Sequence, residues 1–251
     1  MLFVLLISTA AASLLAQTPP KIHVTVLAHA TPREQLTYSQ GLARKYVASS
    51  GEAKTIAFAE TVLNLEYVQR AWPDDRPAVA ESYLQLAKFY STATMYEEAL
   101  EKVRTGKAMS PDDPRFGVVE AKALRDLGRG GEGDRTMDEV AAKIRDSDLS
   151  TIHGRAVLQD AALYYQSRGE YGKAASALRR VAHAMPRGGS RLSILMAIVE
   201  AEEHAHPGAP PTDAVRQLRH AYTELLGTNL TPDETEYLSQ VEVFLREHSD
   251  H

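Results

Sequence analysis

The stretch YEEALEKVRTGKAMSPDDP, residues 96–114, has the pattern of an amphipathic helix that ends at a proline turn. Its apolar residues recur at steps of three and four, which places them on one face of a helix. Pro111 interrupts the pattern, because proline lacks the backbone N–H that a helix interior needs. Two aspartates and a second proline follow, and then another helical pattern begins. The stretch therefore predicts a helix, a short turn and the start of a further helix.

The same pattern recurs 75 residues further along the chain. The matching positions agree in residue type as well as in polarity, which two unrelated amphipathic helices would not do. Small alanines let two helices approach closely, tyrosines fill the wider gaps, and proline ends the second helix. The first set is Tyr83, Ala87, Tyr90, Tyr96, Ala99 and Pro111, and the second is Leu158, Ala162, Tyr165, Tyr171, Ala174 and Pro186. We therefore predict a repeated two-helix unit, with Ala99 and Ala174 buried where its helices cross.

Helical spacing of apolar residues continues through most of the chain after Pro32. No segment there has the β-branched alternation that a sheet needs, so the sequence predicts an all-α fold. The predicted helices span residues 34–48, 54–71, 80–92, 96–109, 116–127, 134–145, 152–167, 171–184, 191–205, 212–226 and 232–247.

The repeated positions resemble the tetratricopeptide repeat, whose unit of 34 residues combines a large residue, Leu-Gly or Leu-Ala, Tyr, Ala and a closing Pro. The first matching run is Tyr83, Leu86, Ala87, Tyr90, Tyr96, Ala99, Val103, Gly106 and Pro111. The second is Leu158, Ala161, Ala162, Tyr165, Gly169, Tyr171, Ala174, Leu178, Val181 and Pro186. Two positions depart from the family, since Gly106 replaces a small Ala and Thr94 replaces the turn Gly. The resemblance implies a right-handed superhelical solenoid of helix hairpins.

The resemblance also suggests how the chain is divided. The offset of 75 residues between the two matching units is about seven residues longer than two repeats of 34. A degenerate repeat with a short extension should therefore lie between them. The predicted segments are a signal peptide or short anchor at 1–16, a linker with one short strand at 17–32, degenerate N-terminal helices at 33–79, repeats at 80–113 and 155–188, a degenerate repeat at 114–150, a degenerate hairpin at 190–227 and a capping helix at 231–248.

The first residues, MLFVLLISTAAASLLAQ, form an apolar run that ends in small residues. This is typical of a signal peptide, although a basic segment before the apolar run is missing. The alternative is an uncleaved membrane anchor, but the run is shorter than the roughly 20 residues that span a bilayer. We therefore expect a periplasmic or secreted protein, with anchoring by this segment as the alternative.

The amino-acid composition excludes several classes of function. The 251 residues are 44% hydrophobic and 24% charged, with a net charge of −5, which indicates a folded chain. Acidic and basic residues are interspersed, whereas a nucleic-acid surface would concentrate Lys and Arg on one face. The sequence contains no cysteine, which excludes disulfides and thiolate catalysis. We expect no nucleic-acid partner.

Three motifs suggest chemistry but have simpler explanations. Residues 128–133, GRGGEG, match a dinucleotide-binding pattern, but that loop must follow a strand and here follows a helical segment. The pair His204 and His206, with His248 and His251 in the tail, offers metal donors, yet residues two apart diverge on a helix. The aspartate pairs 74–75 and 112–113 directly precede helices and are expected to cap them.

The sequence therefore predicts an exported scaffold that binds a protein or peptide and has no catalytic, cofactor or metal site. The alternative is a structural or assembly subunit of a cell-envelope complex, which would bind through other surfaces. In the family, the first helix of each unit lines a groove. The corresponding positions here are Glu81, Leu84, Lys88 and Ser91, then Ala156, Gln159, Leu163 and Gln166.

Overall fold

The computed structural model describes residues 24–227 and 232–248, and within these ranges it contains eleven α-helices and no β-strand. The all-α prediction is therefore confirmed. Residues 24–30 have no regular structure, so the prediction of a short strand in the linker is wrong for these residues. No helix in the described part of the chain has both the length and the apolarity needed to cross a membrane. The segment predicted as a signal peptide, residues 1–16, lies outside the described residues.

The chain divides into two units, and the first ends at Leu127. Its helices pack mainly against their neighbours in sequence, with α1 on α2 and α3 on α4. The helices that begin these two hairpins, α1 and α3, also contact each other, and α3 contacts α5. The five helices are α1 (Pro32–Ala48), α2 (Gly51–Ala71), α3 (Arg76–Thr92), α4 (Tyr96–Met109) and α5 (Pro114–Asp126).

The core of the first unit contains the repeat positions that the sequence predicts to pack. Ala87 and Ala99 are completely buried, and Tyr90 is 9% exposed. Tyr90 lies near the ring of Phe58, which in turn lies 5.3 Å from the ring of Phe89 between ring centroids. Pro111 is exposed and lies just beyond the end of α4, where it stops the helix without entering the core. Tyr83 is half-buried against the same core.

Aspartates cap two helices of the first unit. The side chain of Asp75 accepts a hydrogen bond of 3.1 Å from the N–H of Ala78 at the start of α3. Asp113 likewise accepts one of 3.0 Å from the N–H of Arg115 at the start of α5. These bonds satisfy N–H groups that the first turn of a helix leaves without a partner. The capping prediction is confirmed for the second aspartate of each pair.

The turn between α3 and α4 contains the departure from the family pattern noted at Thr94. This residue has a φ of 61°, in the left-handed region that glycine adopts most easily. The equivalent turn of the second unit contains Gly169, with a φ of 74°. The backbone therefore keeps the same turn geometry in both hairpins, and Thr94 adopts it in spite of its branched side chain.

The second unit begins at Gly128 and consists of helices and one 3₁₀ segment. Here α7 packs on α8, α8 on α9, and α9 on α10, while α11 contacts α9 and α10. The repeat positions Leu158, Ala162 and Ala174 are at most 1% exposed, Tyr165 is 4% exposed, and Pro186 is exposed after the end of α8. The elements are α6 (Gly130–Lys143), a 3₁₀ helix (Asp146–Ser150), α7 (Ile152–Ser167), α8 (Tyr171–Ala184), α9 (Gly189–Ala205), α10 (Thr212–Leu226) and α11 (Pro232–Glu247).

The helix α6 is held against its neighbours by two polar clusters, which we call the aspartate clasps. In the first, Asp134 accepts hydrogen bonds of 2.9 Å from Nε of Arg168 and 2.8 Å from the hydroxyl of Tyr164. The hydrogen bond from Arg168 lowers the pKa of Asp134 below its ordinary value. In the second, Asp138 lies one turn further along α6. It accepts hydrogen bonds from the hydroxyl of Tyr165 at 2.8 Å and from Nζ of Lys173 at 2.9 Å.

Candidate protein-binding surfaces

Most residues of α3 after its first turn are buried, and one stripe of more open positions runs along the helix. Residues on both sides of the stripe are buried, including Leu86 and Ala87 at no more than 1% exposure. The open positions are 81, 85, 88 and 92, where Lys88 and Thr92 are exposed and the other two are half-buried. Their spacing of four, three and four residues places them on one face of the helix.

This stripe forms one wall of a groove of about 550 Å³, and α1 forms the other. The α1 wall contains Val47, which is 64% exposed and is among the most exposed large apolar side chains of the described residues. Phe89 and Leu65 contribute to the floor of the groove although they are at most 4% exposed. The remaining lining residues are Ser39, Gln40, Ala43, Arg44, Ala48, Glu81, Gln85, Lys88 and Thr92.

The charged side chains of this groove differ in whether they already have an ionic partner. The carboxylate of Glu81 lies 2.8 Å from Nη1 of Arg115 on α5, so it already has a cationic partner. Burial opposes the charge of Arg115, but its hydrogen bond to Asp113 and the charge of Glu81 outweigh burial and raise its pKa. Arg44 and Lys88 form no hydrogen bond or ion pair through their side-chain nitrogens within the described ranges. The groove therefore offers two cations that an acidic ligand could pair.

Gln85 adds a polar group to the groove. Its amide nitrogen donates to Oε1 of Glu81 over 3.3 Å. Its amide oxygen is buried and has no hydrogen-bond donor among the described residues. An unpaired buried acceptor costs free energy, and an N–H group of a ligand can satisfy this oxygen only after the Gln85 side chain turns toward the groove.

The sequence prediction for this face is partly wrong. Leu84 is predicted to face a partner, but it is completely buried and packs with Ala87, Val103 and Phe116. The reason is that α3 lies against both α4 and α5, so the open stripe runs through position 85 instead of 84. Ser91 is half-buried and does not line the groove, while Glu81 and Lys88 do.

The second unit has a comparable open face on α7. Ile152 is 71% exposed and Leu163 is 61% exposed, and the intervening Ala156 is also exposed. These positions recur at steps of four and seven residues, which aligns them along one side of the helix. Gln159 and Gln166 lie beside the stripe and are half-buried. The face is thus an apolar stripe with polar margins, a composition found at protein-interaction surfaces.

Two of the histidines singled out in the sequence, His204 and His248, have local side-chain contacts. Nδ1 of His204 lies 2.7 Å from the carbonyl oxygen of Glu200, and its ring lies 4.8 Å from that of Tyr171. Nε2 of His248 lies 3.0 Å from a carboxylate oxygen of Glu203. Within the described residues no group of three or more His, Cys, Asp or Glu is placed to hold a metal ion. His251 lies outside those residues.

Residues 128–133 also adopt a structure different from a phosphate-binding loop. Gly128 lies in the turn that follows α5, with a φ of 78°, and the other glycines belong to the first turn of α6. A helix thus precedes the glycines where a dinucleotide fold has a strand. Gly128 therefore belongs to an inter-helix turn, and residues 130–133 belong to the helix that follows it.

Sequence reasoning missed Gln85 and the whole α1 wall. Gln40, Arg44 and Val47 are spaced by four and three residues, which is the same one-sided pattern as the stripe of α3. That spacing is visible in the sequence, but α1 has none of the repeat's characteristic residues. Only the contact between α1 and α3 shows that the two stripes face one groove.

Comparison with known proteins supports the fold. No protein-family model and no curated protein matches the sequence. Among solved structures, the nearly identical TPR-like repeats of a kinesin-light-chain-type protein from Podosopora anserina share 17% identity with this chain, at a TM-score of 0.53. The match covers 80% of this chain and 100% of that one.

Two further structures have lower scores. A thermophilic TPR protein of Thermus thermophilus, TTC0263, is 15% identical, with a TM-score of 0.49, over 86% of this chain and 100% of that chain. PilW, a type IV pilus biogenesis factor, is 13% identical, with a TM-score of 0.45, over 89% and 96%. Because both scores are below 0.5, the assignment rests on the first structure and on the helix pairing described above. The chain has the all-α helical-repeat fold of the tetratricopeptide repeat proteins.

Proposed function

We propose that this protein is an exported scaffold without catalytic activity that binds a protein or peptide partner. The groove between α1 and α3 is the main contact surface in this proposal. It combines an exposed apolar side chain, two cations without a partner among the described residues and a buried acceptor without a donor there, all within one open channel. Peptide grooves need this combination, because apolar contacts supply affinity and a few fixed polar groups supply orientation.

The observation that carries the proposal is the exposure of Val47 beside Arg44 and Lys88. An apolar side chain of this size is usually buried, and its burial by a partner would remove apolar surface from water at about 25 cal/mol per Å². The neighbouring cations would attract the acidic side chains of the partner over a longer distance. Together they favour a partner segment that carries both apolar and acidic residues.

The open face of α7 is proposed as a separate contact surface. Its exposed residues Ile152, Ala156 and Leu163 are apolar, and the half-buried Asp160 between Ala156 and Leu163 already has an interaction within the chain. It therefore suits an apolar partner surface, in contrast to the charged groove of the first unit. The division into repeats at 80–113 and 155–188 is part of the same proposal, because it assigns both faces to the first helix of a repeat.

Site-specific photo-crosslinking tests the proposed groove. A photoreactive amino acid is placed at Val47 in one variant and at Arg104 in a control. Arg104 is exposed on α4 and does not line the groove. Both proteins are expressed in the native host and crosslinked in the cell. We expect one discrete adduct from position 47, its loss when Lys88→Glu is added, and no such adduct from position 104.

The alternative is an assembly subunit of an envelope complex that binds through other surfaces. It predicts that position 104 crosslinks to membrane-fraction proteins and that Lys88→Glu has no effect. Cell fractionation of the same samples tests export, because an exported protein is recovered outside the cytoplasmic fraction. Equal adducts from both positions would refute the groove as the contact surface.

A further inference from the structure

The second unit contains an open cavity of about 610 Å³ on a face formed by the 3₁₀ helix, α8, α9 and α10. Its lining includes three arginines and one histidine, which are Arg179, Arg180, His183 and Arg191. Asp146 is the acidic residue of the lining. This cavity is formed within the second unit and is independent of the partner surfaces proposed above.

Two of the three arginines already have partners. Arg179 forms an ion pair with Glu202. Nη2 of Arg180 lies 2.9 Å from a carboxylate oxygen of Asp146 and donates a hydrogen bond to the carbonyl oxygen of Ile144. These contacts neutralise Arg180 and fix its position. They also use the acidic residue of the lining, so they leave no counterion in the cavity lining for the third arginine.

Arg191 is the arginine whose Nε–H has no partner among the described residues. Its side chain is half-buried, and its Nε–H is buried with no hydrogen-bond acceptor within the described ranges. A guanidinium presents its donors as a rigid fork, and leaving a donor buried and unpaired costs free energy. Nη1 and Nη2 of Arg191 also form no hydrogen bond or ion pair within the described ranges, and these are the nitrogens with which an anion in the cavity would pair.

The position of Arg191 in its helix adds a second, independent argument. It lies in the first turn of α9, where the helix dipole places positive partial charge. Acidic side chains are favourable there, but the first turn of α9 has none, and the N-cap residue Gly188 has no side chain to cap it. Arg191 therefore brings a positive charge to this cavity, whereas Gly188 at the helix end lines a separate small cavity with Arg187 and Glu224.

The walls of the cavity restrict the kind of anion. Leu149, Ala182 and Leu195 contribute apolar surface around the arginine. A carboxylate has two oxygens that match the guanidinium fork, and an apolar body fits such walls. Inorganic phosphate has no apolar body to place against these walls, and the charge of Asp146 is already paired with Arg180. The arrangement thus favours a single carboxylate over a phosphate.

We propose that this cavity binds a small organic monocarboxylate, with its carboxylate on Arg191 and its apolar body against Leu149 and Leu195. The site is a second binding activity of the chain, separate from its contact with a protein partner.

Calorimetric titration with 4-phenylbutyrate tests the proposal, and 4-phenylbutanol and inorganic phosphate serve as comparison ligands. We expect one site for 4-phenylbutyrate, with affinity at least about tenfold higher than for the alcohol or for phosphate. Arg191→Gln should weaken 4-phenylbutyrate binding by at least about tenfold and leave the weak binding of the alcohol unchanged. Arg216→Gln is the matched control, because Arg216 is exposed on α10 and pairs with Asp213 outside the cavity.

Amide chemical shifts of the wild-type protein give a second readout that needs no variant to fold. Titration with 4-phenylbutyrate should shift the amide signals of Ala182 and Leu195 selectively. The proposal is overturned if 4-phenylbutyrate does not bind, if the alcohol or phosphate binds equally well, or if the shifts lie elsewhere. It is also overturned if a folded Arg191→Gln protein binds with wild-type affinity.

Discussion

Replacing Gly106 with alanine tests the packing between α4 and α5. A Cβ atom at position 106 would lie 2.2 Å and 2.3 Å from Cε1 and Cζ of Phe116. The ring of Phe116 is completely buried among Leu84, Ala87 and Val103. The methyl group therefore cannot be accommodated unless this ring moves by about 1 Å against a packed core.

The expected magnitude follows from two opposing effects. Alanine is more favourable than glycine in a helix interior by about 1 kcal/mol. Overpacking of a core of this kind costs about 1–3 kcal/mol. Gly41→Ala is the matched control, because position 41 is also inside a helix of the first unit and has no atom within 4 Å of an added Cβ. Gly106→Ala should therefore be less stable than Gly41→Ala by about 1–3 kcal/mol, which is the overpacking cost alone.

Urea unfolding followed by circular dichroism at the helix band gives both free energies of unfolding. A double-mutant cycle identifies the cause, because Phe116→Leu removes the ring that the methyl group meets. In the Phe116→Leu background, Gly106→Ala should cost less than it does in the wild type. The reasoning is refuted if Gly106→Ala stabilises the protein as much as Gly41→Ala, or if the cycle shows no coupling.

Two further predictions concern the second unit. Ala174→Arg should lower the free energy of unfolding by about 3–5 kcal/mol, because Ala174 is fully buried. The control Ser176→Arg, on the exposed side of α8, should change the thermal midpoint little. Equal midpoints for the two variants would show that the repeat register is wrong. The folded pKa of Asp134 is lowered by its hydrogen bond from Arg168, so this carboxylate stabilises the protein above about pH 4 and loses its contribution as pH falls through the lowered pKa. Thermal unfolding at pH 6 should therefore show that the wild type is more stable than Asp134→Asn, and at about pH 2 this difference should shrink. A difference that stays constant with pH would contradict the stabilising role of the Asp134 carboxylate.

The helices are predictable because their apolar spacing is regular and because prolines and aspartates mark their ends. The predicted segment 96–109 coincides with α4, and the predicted segment 171–184 coincides with α8. The predicted start of α6 is wrong, since residues 130–133 belong to the helix and not to the turn before it. Glycine has low helix propensity, but Gly133 is buried and the side chain of Arg168 lies beside Gly130. Tertiary contacts thus extend the helix where local preference predicts a turn.

The candidate surfaces are only partly predictable. Lys88 and Leu163 can be placed on the open faces because the repeat pattern identifies the packed residues around them. Leu84 cannot, because its burial depends on how closely α5 approaches α3, and no local pattern encodes that distance. The cavity around Arg191 escapes sequence reasoning for the same reason, since its lining comes from several elements of the second unit.

The aspartate clasps make the attachment of α6 depend on the salt concentration of the surroundings. Charge pairs such as Asp138 with Lys173 are about half exposed, so dissolved ions weaken them. The screening distance falls from about 10 Å at 0.1 M salt to about 3 Å at 1 M. The apolar and aromatic packing of Phe58, Phe89 and Tyr90 in the first unit has no such dependence on ionic screening. A rise in ionic strength should therefore loosen α6 first, and hydrogen exchange of its amides should accelerate before that of α3.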